Sequence, residues 1–214
     1  MKDLGHKYKK HFTDESFVIS LCIGIFVLIA SLIINFYAGI YAIKSASTSV
    51  TDIVLSNIRV YDVDFIFIYG PLIMWSFVAV LGLYEPKRIP FILKSIALFV
   101  LVRSIFVTLT HTGPFPDQTL LENPAGWIRN FTSAGDLFFS AHTGLPFLMA
   151  LLFWKHKFLR TIFIITSIFF GVVVLLGHFH YSIDVLSAFF ITYTIYHMAE
   201  VIFANDQELF NQQA

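Results

Sequence analysis

The chain reads as an all-α integral membrane protein with six transmembrane helices and both termini in the cytoplasm. Three observations carry that expectation. Of the 214 residues, 57% are hydrophobic and only 13% charged, with a mean hydropathy of +0.76, too apolar for a water-soluble domain. The apolar residues fall into six stretches, at about 17–43, 63–84, 89–111, 137–154, 159–177 and 182–204, and crossing a bilayer takes roughly 17–25 residues. Finally, Lys2, Lys7, Lys9, Lys10, Lys87, Arg88, Lys155, Lys157 and Arg160 fall on one side of that arrangement, against Lys44, Arg59 and Arg129 on the other. The positive-inside rule makes the first side cytoplasmic.

Residues 1–16 form a basic cytoplasmic segment, 17–204 the membrane domain and 205–214 a polar cytoplasmic tail that reads as frayed. The first apolar run, about 27 residues, is too long for a signal core of roughly 7–15 and reads as a retained span. It holds Cys22, the sole cysteine, which excludes an internal disulfide and a thiolate metal cluster. A segment rich in Ser and Thr, about 44–62, joins the first two spans on the outside. The short turns Glu85 to Arg88 and Lys155 to Phe158 predict that the helices they join pack as antiparallel neighbours. In the third span Lys94 is close enough to the cytoplasmic face to snorkel, whereas Arg103 is too deep. The outer segment 112–136, with Pro114, Pro116, Pro124 and Trp127, reads as a lid or an interfacial element, where Trp127 and Arg129 suit the headgroup layer; the alternative is a flexible connector.

Ionisable groups at the edges of such apolar stretches are costly and are usually kept for chemistry. At about 1.5 Å rise per residue, His142 is expected roughly 8 Å below the outer start of the fourth helix, level with Arg103, His180 and Asp184. On a helix, His180 and Asp184 share a face, so the carboxylate can orient one imidazole nitrogen and leave the other as a nucleophile. His142 supplies a second imidazole for proton transfer. Gly135 and Asp136 open the fourth helix, where amide groups can bind an anion, or Asp136 is simply its N-cap. Ser140 contacts phosphate oxygens or bonds back to the preceding turn. Tyr181 is near enough to touch substrate, or else packs as Tyr193 and Tyr196 do. His178 is a rival nucleophile without a carboxylate four residues on; His111 is interfacial, His6, His11 and His156 are solvated, and His197 is a core group.

Gly135-Asp136, then Ser140-Ala141-His142-Thr143, and finally His180-Tyr181-Ser182-Ile183-Asp184-Val185 resemble the two signature motifs of the sphingomyelin synthases, a branch of the type 2 phosphatidic-acid phosphatase superfamily. Arg103-Ser104-Ile105 with Thr108 and Thr110 is similar to another segment of that family, so the likeness covers about 87–200. Ala141, Ser182 and Glu200 depart from the family's usual glycine, threonine and histidine. The resemblance implies an enzyme in which His180 attacks phosphorus, Asp184 supports it, and His142 protonates the leaving alcohol and deprotonates the acceptor. It further implies a covalent phosphohistidine, phosphate binding by Arg103, Gly135, Asp136, Ser140 and Tyr181, and neither metal nor cofactor.

The expected partners are a phospholipid donor and a lipid alcohol acceptor in the membrane, with no nucleic acid, and the site faces the non-cytoplasmic side. Charge separates transfer from monoester hydrolysis. A phosphomonoester carries about −1.5 to −2 near pH 7, and related monoesterases place an arginine where this chain has Val174. Among the site's own helices only Arg103 remains, with Arg59 and Arg129 as candidate visitors from the outer loops, and one guaranteed cation suits a singly charged phosphodiester, since an uncompensated second charge is costly to bury. The alternatives are a lipid phosphate phosphatase, a metalloenzyme built on His142, His178, His180 and Asp184, and a transporter or proton relay.

Overall fold

The computed structural model describes residues 2–116 and 138–212. These residues form helices and turns without a strand. An amphipathic helix α1 (Lys2–Phe12) precedes α2 (Glu15–Ser45), which Asp14 opens as N-cap by accepting the Ser16 amide. The bundle continues with α3 (Asp64–Tyr84), α4 (Ile89–Leu109), α5 (Ala141–Leu152), α6 (Lys157–Leu176) and α7 (Ser182–Ile202), and closes with α8 (Ala204–Asn211). Five of these elements, Glu15–Ser45, Asp64–Tyr84, Pro86–Leu109, Lys157–Leu176 and Ser182–Ile202, are long and apolar enough to cross a membrane. Their outward faces carry large apolar side chains such as Phe26, Phe65, Ile73, Phe158, Phe190 and Val201, a surface that suits lipid rather than water.

The stretch expected as the fourth span forms a helix of only 12 residues, Ala141–Leu152, about 18 Å at the α-helical rise. It is also the most enclosed. Leu148, Met149 and Ala150 are fully buried, together with Phe99, Phe139, Phe153 and Phe163 from the surrounding elements. α5 packs on α6 and α7, and α4 on α2 and α7. Gly144 permits the approach, because a Cβ there would stand 2.7 Å from the Phe99 ring and 2.9 Å from Thr192 Oγ1. Ser167 of α6 donates to the Thr143 carbonyl at 2.7 Å, a further clamp on the same turn.

Three expectations about the packing need correction. α3 and α4 are not close neighbours along their length, despite the short turn between them. α3 leans on α6 instead, where the missing side chain of Gly70 admits the Phe170 ring, and it meets α4 mainly through the Pro86–Arg88 turn. Lys94 does not snorkel: it is buried and donates to Asp206 at 2.5 Å and to Ser20 at 2.7 Å. Asp206 belongs to the tail expected to fray, which folds as α8 with Asp206 and Phe210 buried.

Hydrogen bonds between elements sort the helix ends. The C-terminal side of α2 meets that of α4 through the Ser47 amide and the His111 carbonyl, 2.7 Å apart, and Tyr61 donates to Leu176 at the end of α6. The start of α5 joins the start of α7 where Ser140 donates to the Asp184 carbonyl at 3.2 Å. At the opposite end Lys7 pairs with Glu85 at 2.7 Å, and Lys87 donates to the Gln212 carbonyl. Successive helices from α2 to α7 therefore alternate in direction.

Candidate active site

The His180 motif is built by the turn between α6 and α7. α6 ends in a Schellman turn: His178 donates to the Leu175 carbonyl, Phe179 donates to Val174, and His178 itself adopts a left-handed φ of 55°. That position usually favours glycine, and here it directs His178 edge-on against Phe115. Phe179 turns inward onto Phe67, and His180 follows, 5% exposed. α7 starts two residues later.

His180 therefore precedes the helix rather than sharing its face, which corrects the expected i, i+4 helical pairing. Asp184 reaches it differently. Its carboxylate folds back over the first turn of α7, accepts the Tyr181 amide at 2.9 Å, and places Oδ2 3.6 Å from His180 Nδ1. The carboxylate and Nδ1 thus lie slightly beyond hydrogen-bond length. Asp184 is 2% exposed, so water screens the pair little.

His142 also sits higher than expected. Helix α5 opens at Ala141 with Ser140 as N-cap, so His142 lies in the first turn, not several residues down. Ser140 and Asp136 are equally good caps in sequence terms. The fully buried Phe139 and the Ser140–Asp184 bond fix the later start. The Ser140 hydroxyl accepts the Thr143 amide at 3.4 Å and the Thr143 hydroxyl at 3.3 Å. It thus caps forward into α5 instead of bonding back to the preceding turn. Gly135 and Asp136, with Trp127 and Arg129, lie outside the described residues.

The His142 imidazole stacks on Phe67 with centroids 4.1 Å apart, and its Nε2 donates to the Phe67 carbonyl at 3.2 Å. A carbonyl only accepts, so Nε2 carries the hydrogen and Nδ1 is the nitrogen left to exchange a proton. Phe67 thereby fixes the tautomer of His142, a role the sequence did not signal because it is played by a main-chain oxygen of a distant helix. The Ser140 amide donates to the Asp184 carbonyl, and Arg103 donates to Phe139 beside it, so the two motifs and Arg103 meet at the same end of the bundle. Arg103 is 6% exposed and donates from Nε to the Phe139 carbonyl at 2.9 Å, with Nη1 3.5 Å from Asn35 Oδ1. The guanidinium is thus braced against the residue that precedes Ser140. At this end of the bundle, among the described residues, Lys44 and Arg59 are exposed, and Arg59 lies over Tyr61 at 4.8 Å.

Tyr181 is buried, and its hydroxyl donates to the Gly113 carbonyl at 2.8 Å while accepting the Val50 amide at 3.2 Å. Burial pushes the phenol up from its ordinary pKa, against the Val50 bond and with the help of the Asp184 and Asp52 charges. It is therefore a neutral donor that ties the segments following α2 and α4 to the start of α7. His111 is exposed and bonds its own helix end at the Thr108 carbonyl. His197 is half exposed on its side chain and pairs with Glu200 at 2.8 Å, rather than lying in the core. Among the described residues no three His, Cys, Asp or Glu side chains gather as a metal site requires.

No curated protein and no solved structure matches the chain. Residues 133–201, which carry Ser140, His142, His180 and Asp184, match the family model described as PAP2 superfamily C-terminal, so this part of the chain is similar to a superfamily whose members are typically phosphatases or phosphotransferases.

Proposed function

We propose that the protein is a lipid phosphotransferase of the sphingomyelin synthase type, moving a phospho-headgroup from a phospholipid to a lipid alcohol through a phosphohistidine. The observation that carries this reading is that two imidazoles at the same end of the bundle are held differently, one by a carboxylate and one by a main-chain carbonyl. Asp184 lies on Nδ1 of His180, and in this reading Nε2 is the attacking nitrogen; Phe67 holds Nε2 of His142, and Nδ1 exchanges the proton. In the first step His180 Nε2 bonds to phosphorus as the bond from phosphorus to the glycerol oxygen breaks, and His142, protonated, gives that oxygen its proton. In the second, the acceptor hydroxyl gives its proton to His142 as its oxygen bonds to phosphorus and the N–P bond breaks. Arg103 and Ser140 bind the phosphate oxygens in this reading, and the sequence motif alone gives Gly135 and Asp136 the same role.

Transfer is favoured over monoester hydrolysis by charge. Val174, where related monoesterases carry an arginine, is fully buried among Val63, Phe67, Val173 and Phe179. No cation can enter there without breaking that cluster, so the site suits a phosphodiester. In this reading α5 completes a sixth membrane crossing, both termini are cytoplasmic, and the site opens at the outer face. Hydrolysis of a phosphatidic-acid-type monoester is the second reading, and similarity to a superfamily of phosphatases supports it.

The test is to incubate purified protein with labelled phospholipid, with and without a ceramide or another lipid alcohol, and to resolve the products. Headgroup transfer that depends on the alcohol supports the proposal. A kcat/KM for phosphatidic acid far above that for every phosphodiester lipid would make the protein a phosphatase instead.

A further inference from the structure

The segment between α2 and α3 carries a carboxylate whose bonding is unusual for a loop. Asp52 is 7% exposed, and its two oxygens serve different partners. Oδ1 accepts the Val54 amide at 2.8 Å and the Leu55 amide at 3.1 Å, which folds the local turn. Oδ2 accepts both the amide of Ser182 at 2.7 Å and its hydroxyl at 2.8 Å, across 130 residues of sequence. Ser182 is the first residue of α7, so Asp52 places a negative charge on the N-terminus of the helix that bears Asp184. Burial resists ionisation of Asp52, yet the bonds from the Ser182 hydroxyl and amide and from the Leu55 and Val54 amides outweigh it and hold the carboxyl below its ordinary value.

The surroundings make this an anchor rather than a chance contact. Ser47 and Thr48 hydrogen-bond to His111 and Gly113, and a Cβ on Gly113 would collide with the Ser47–Ser49 backbone. The Tyr181 hydroxyl closes on Val50 and Gly113. The residue before the helix and the first residue within it are therefore both held by the outer segments.

We propose that Asp52 is a positioning residue: through Ser182 it pins the first turn of α7, and so keeps the Asp184 carboxylate on Nδ1 of His180. The catalytic consequence rests on the phosphotransfer reading above, while the anchoring itself does not.

Two variants separate the anchor from local folding. Asp52→Asn keeps the shape but offers an amide group where one of the two oxygens accepted. Ser182→Pro removes both donors to Oδ2 at a first helical position where proline is tolerated, and Tyr181, with φ −69° and ψ 156°, already has the backbone a residue before proline requires. Both are compared with Asp62→Asn, an exposed carboxylate of the same segment. Hydrogen exchange of the amides of residues 179–186 should rise in both variants and not in Asp62→Asn, with the rest of α7 unchanged. Turnover of labelled phospholipid should fall in kcat by up to about 100-fold, as for a misplaced catalytic group, with KM unchanged. Ser182→Pro stands alone if Asp52→Asn does not fold. Wild-type exchange at 179–186, or a wild-type kcat in a variant whose exchange has risen, overturns the proposal. If the unaltered protein turns over no lipid phosphate, the phosphotransfer reading falls, and the exchange measurement alone decides whether Asp52 anchors α7.

Discussion

The two ends of the bundle hold their buried charges in opposite ways. At the end bearing both termini, Lys94 is satisfied by Asp206 and Ser20, and Ser20 in turn donates to Asp206, so the group closes on itself. Phe203 covers the ammonium at 5.7 Å. At the other end Asp184 is held by a backbone amide, His142 by a backbone carbonyl and Arg103 partly by another, so the main chain does the holding. A closed ion pair in an apolar bundle fastens a helix. Ionisable groups gripped by main chain do not neutralise one another, which suits the phosphotransfer proposed for this end.

The sharpest break of this contrast lies at His180. Replacing His180 with glutamine should abolish turnover, a loss exceeding the roughly 10²–10⁴-fold typical of an acid–base group, while circular dichroism and thermal melting stay as in the parent. His178→Ala, which removes an imidazole set against Phe115, should retain substantial turnover. A dead His178→Ala beside an active His180→Gln would exchange their roles.

The opposite end should respond in stability and not in chemistry. Lys94→Met leaves a buried carboxylate without its cation and should cost about 3–5 kcal/mol in a reversible unfolding assay, with kcat of the folded fraction unchanged. Adding Asp206→Leu should recover much of the loss, because an apolar pair of similar volume avoids the desolvation of both charges. Failure of the double variant to recover would mean that α8 is held by something other than this pair.

Smaller effects refine the boundary between the two ends. Gly144→Ala pushes a methyl group against Phe99 and Thr192 two residues after His142, and should destabilise by about 1–3 kcal/mol, measured by thermal melting. The smallest effect is that of pH on Asp52. Its carboxyl is held below the ordinary value of 3.8, so its contribution to stability is present above that pH and is lost as pH falls through the lower folded value. Asp52→Asn should therefore be less stable than the parent near neutrality, and the difference should shrink on acidification below about pH 4. A difference that grows on acidification would reverse the assignment.

The sequence exposed what depends on residue type and local spacing. Two short motifs at the edges of apolar stretches, and Arg103 within one, were legible as candidates because ionisable groups there are seldom kept for packing. The paired acceptors were not. Asp52 meets Ser182 across 130 residues, and Lys94 meets Asp206 across 112, so neither pair leaves a periodic signal. Helix starts failed for a different reason: Asp136 and Ser140 are both competent caps, and the choice was made by the burial of Phe139. The tail looked too polar to fold, since its two buried residues, Asp206 and Phe210, find their partners on other helices. For His178, read as a rival nucleophile, the sequence did not signal the left-handed position that the Schellman turn at the end of α6 gives it.

The central claim is that phosphorus passes through His180, and trapping the intermediate tests it most directly. Purified protein is mixed with phospholipid labelled at phosphorus, quenched within one turnover and examined for covalent label. The account predicts a label that is labile to acid and stable to base, that maps to His180, and that disappears when a lipid alcohol is added before the quench. It also predicts accumulation of label with little product when the second step is slowed by replacing His142. Turnover without any covalent label, or label retained by His180→Gln, would contradict it.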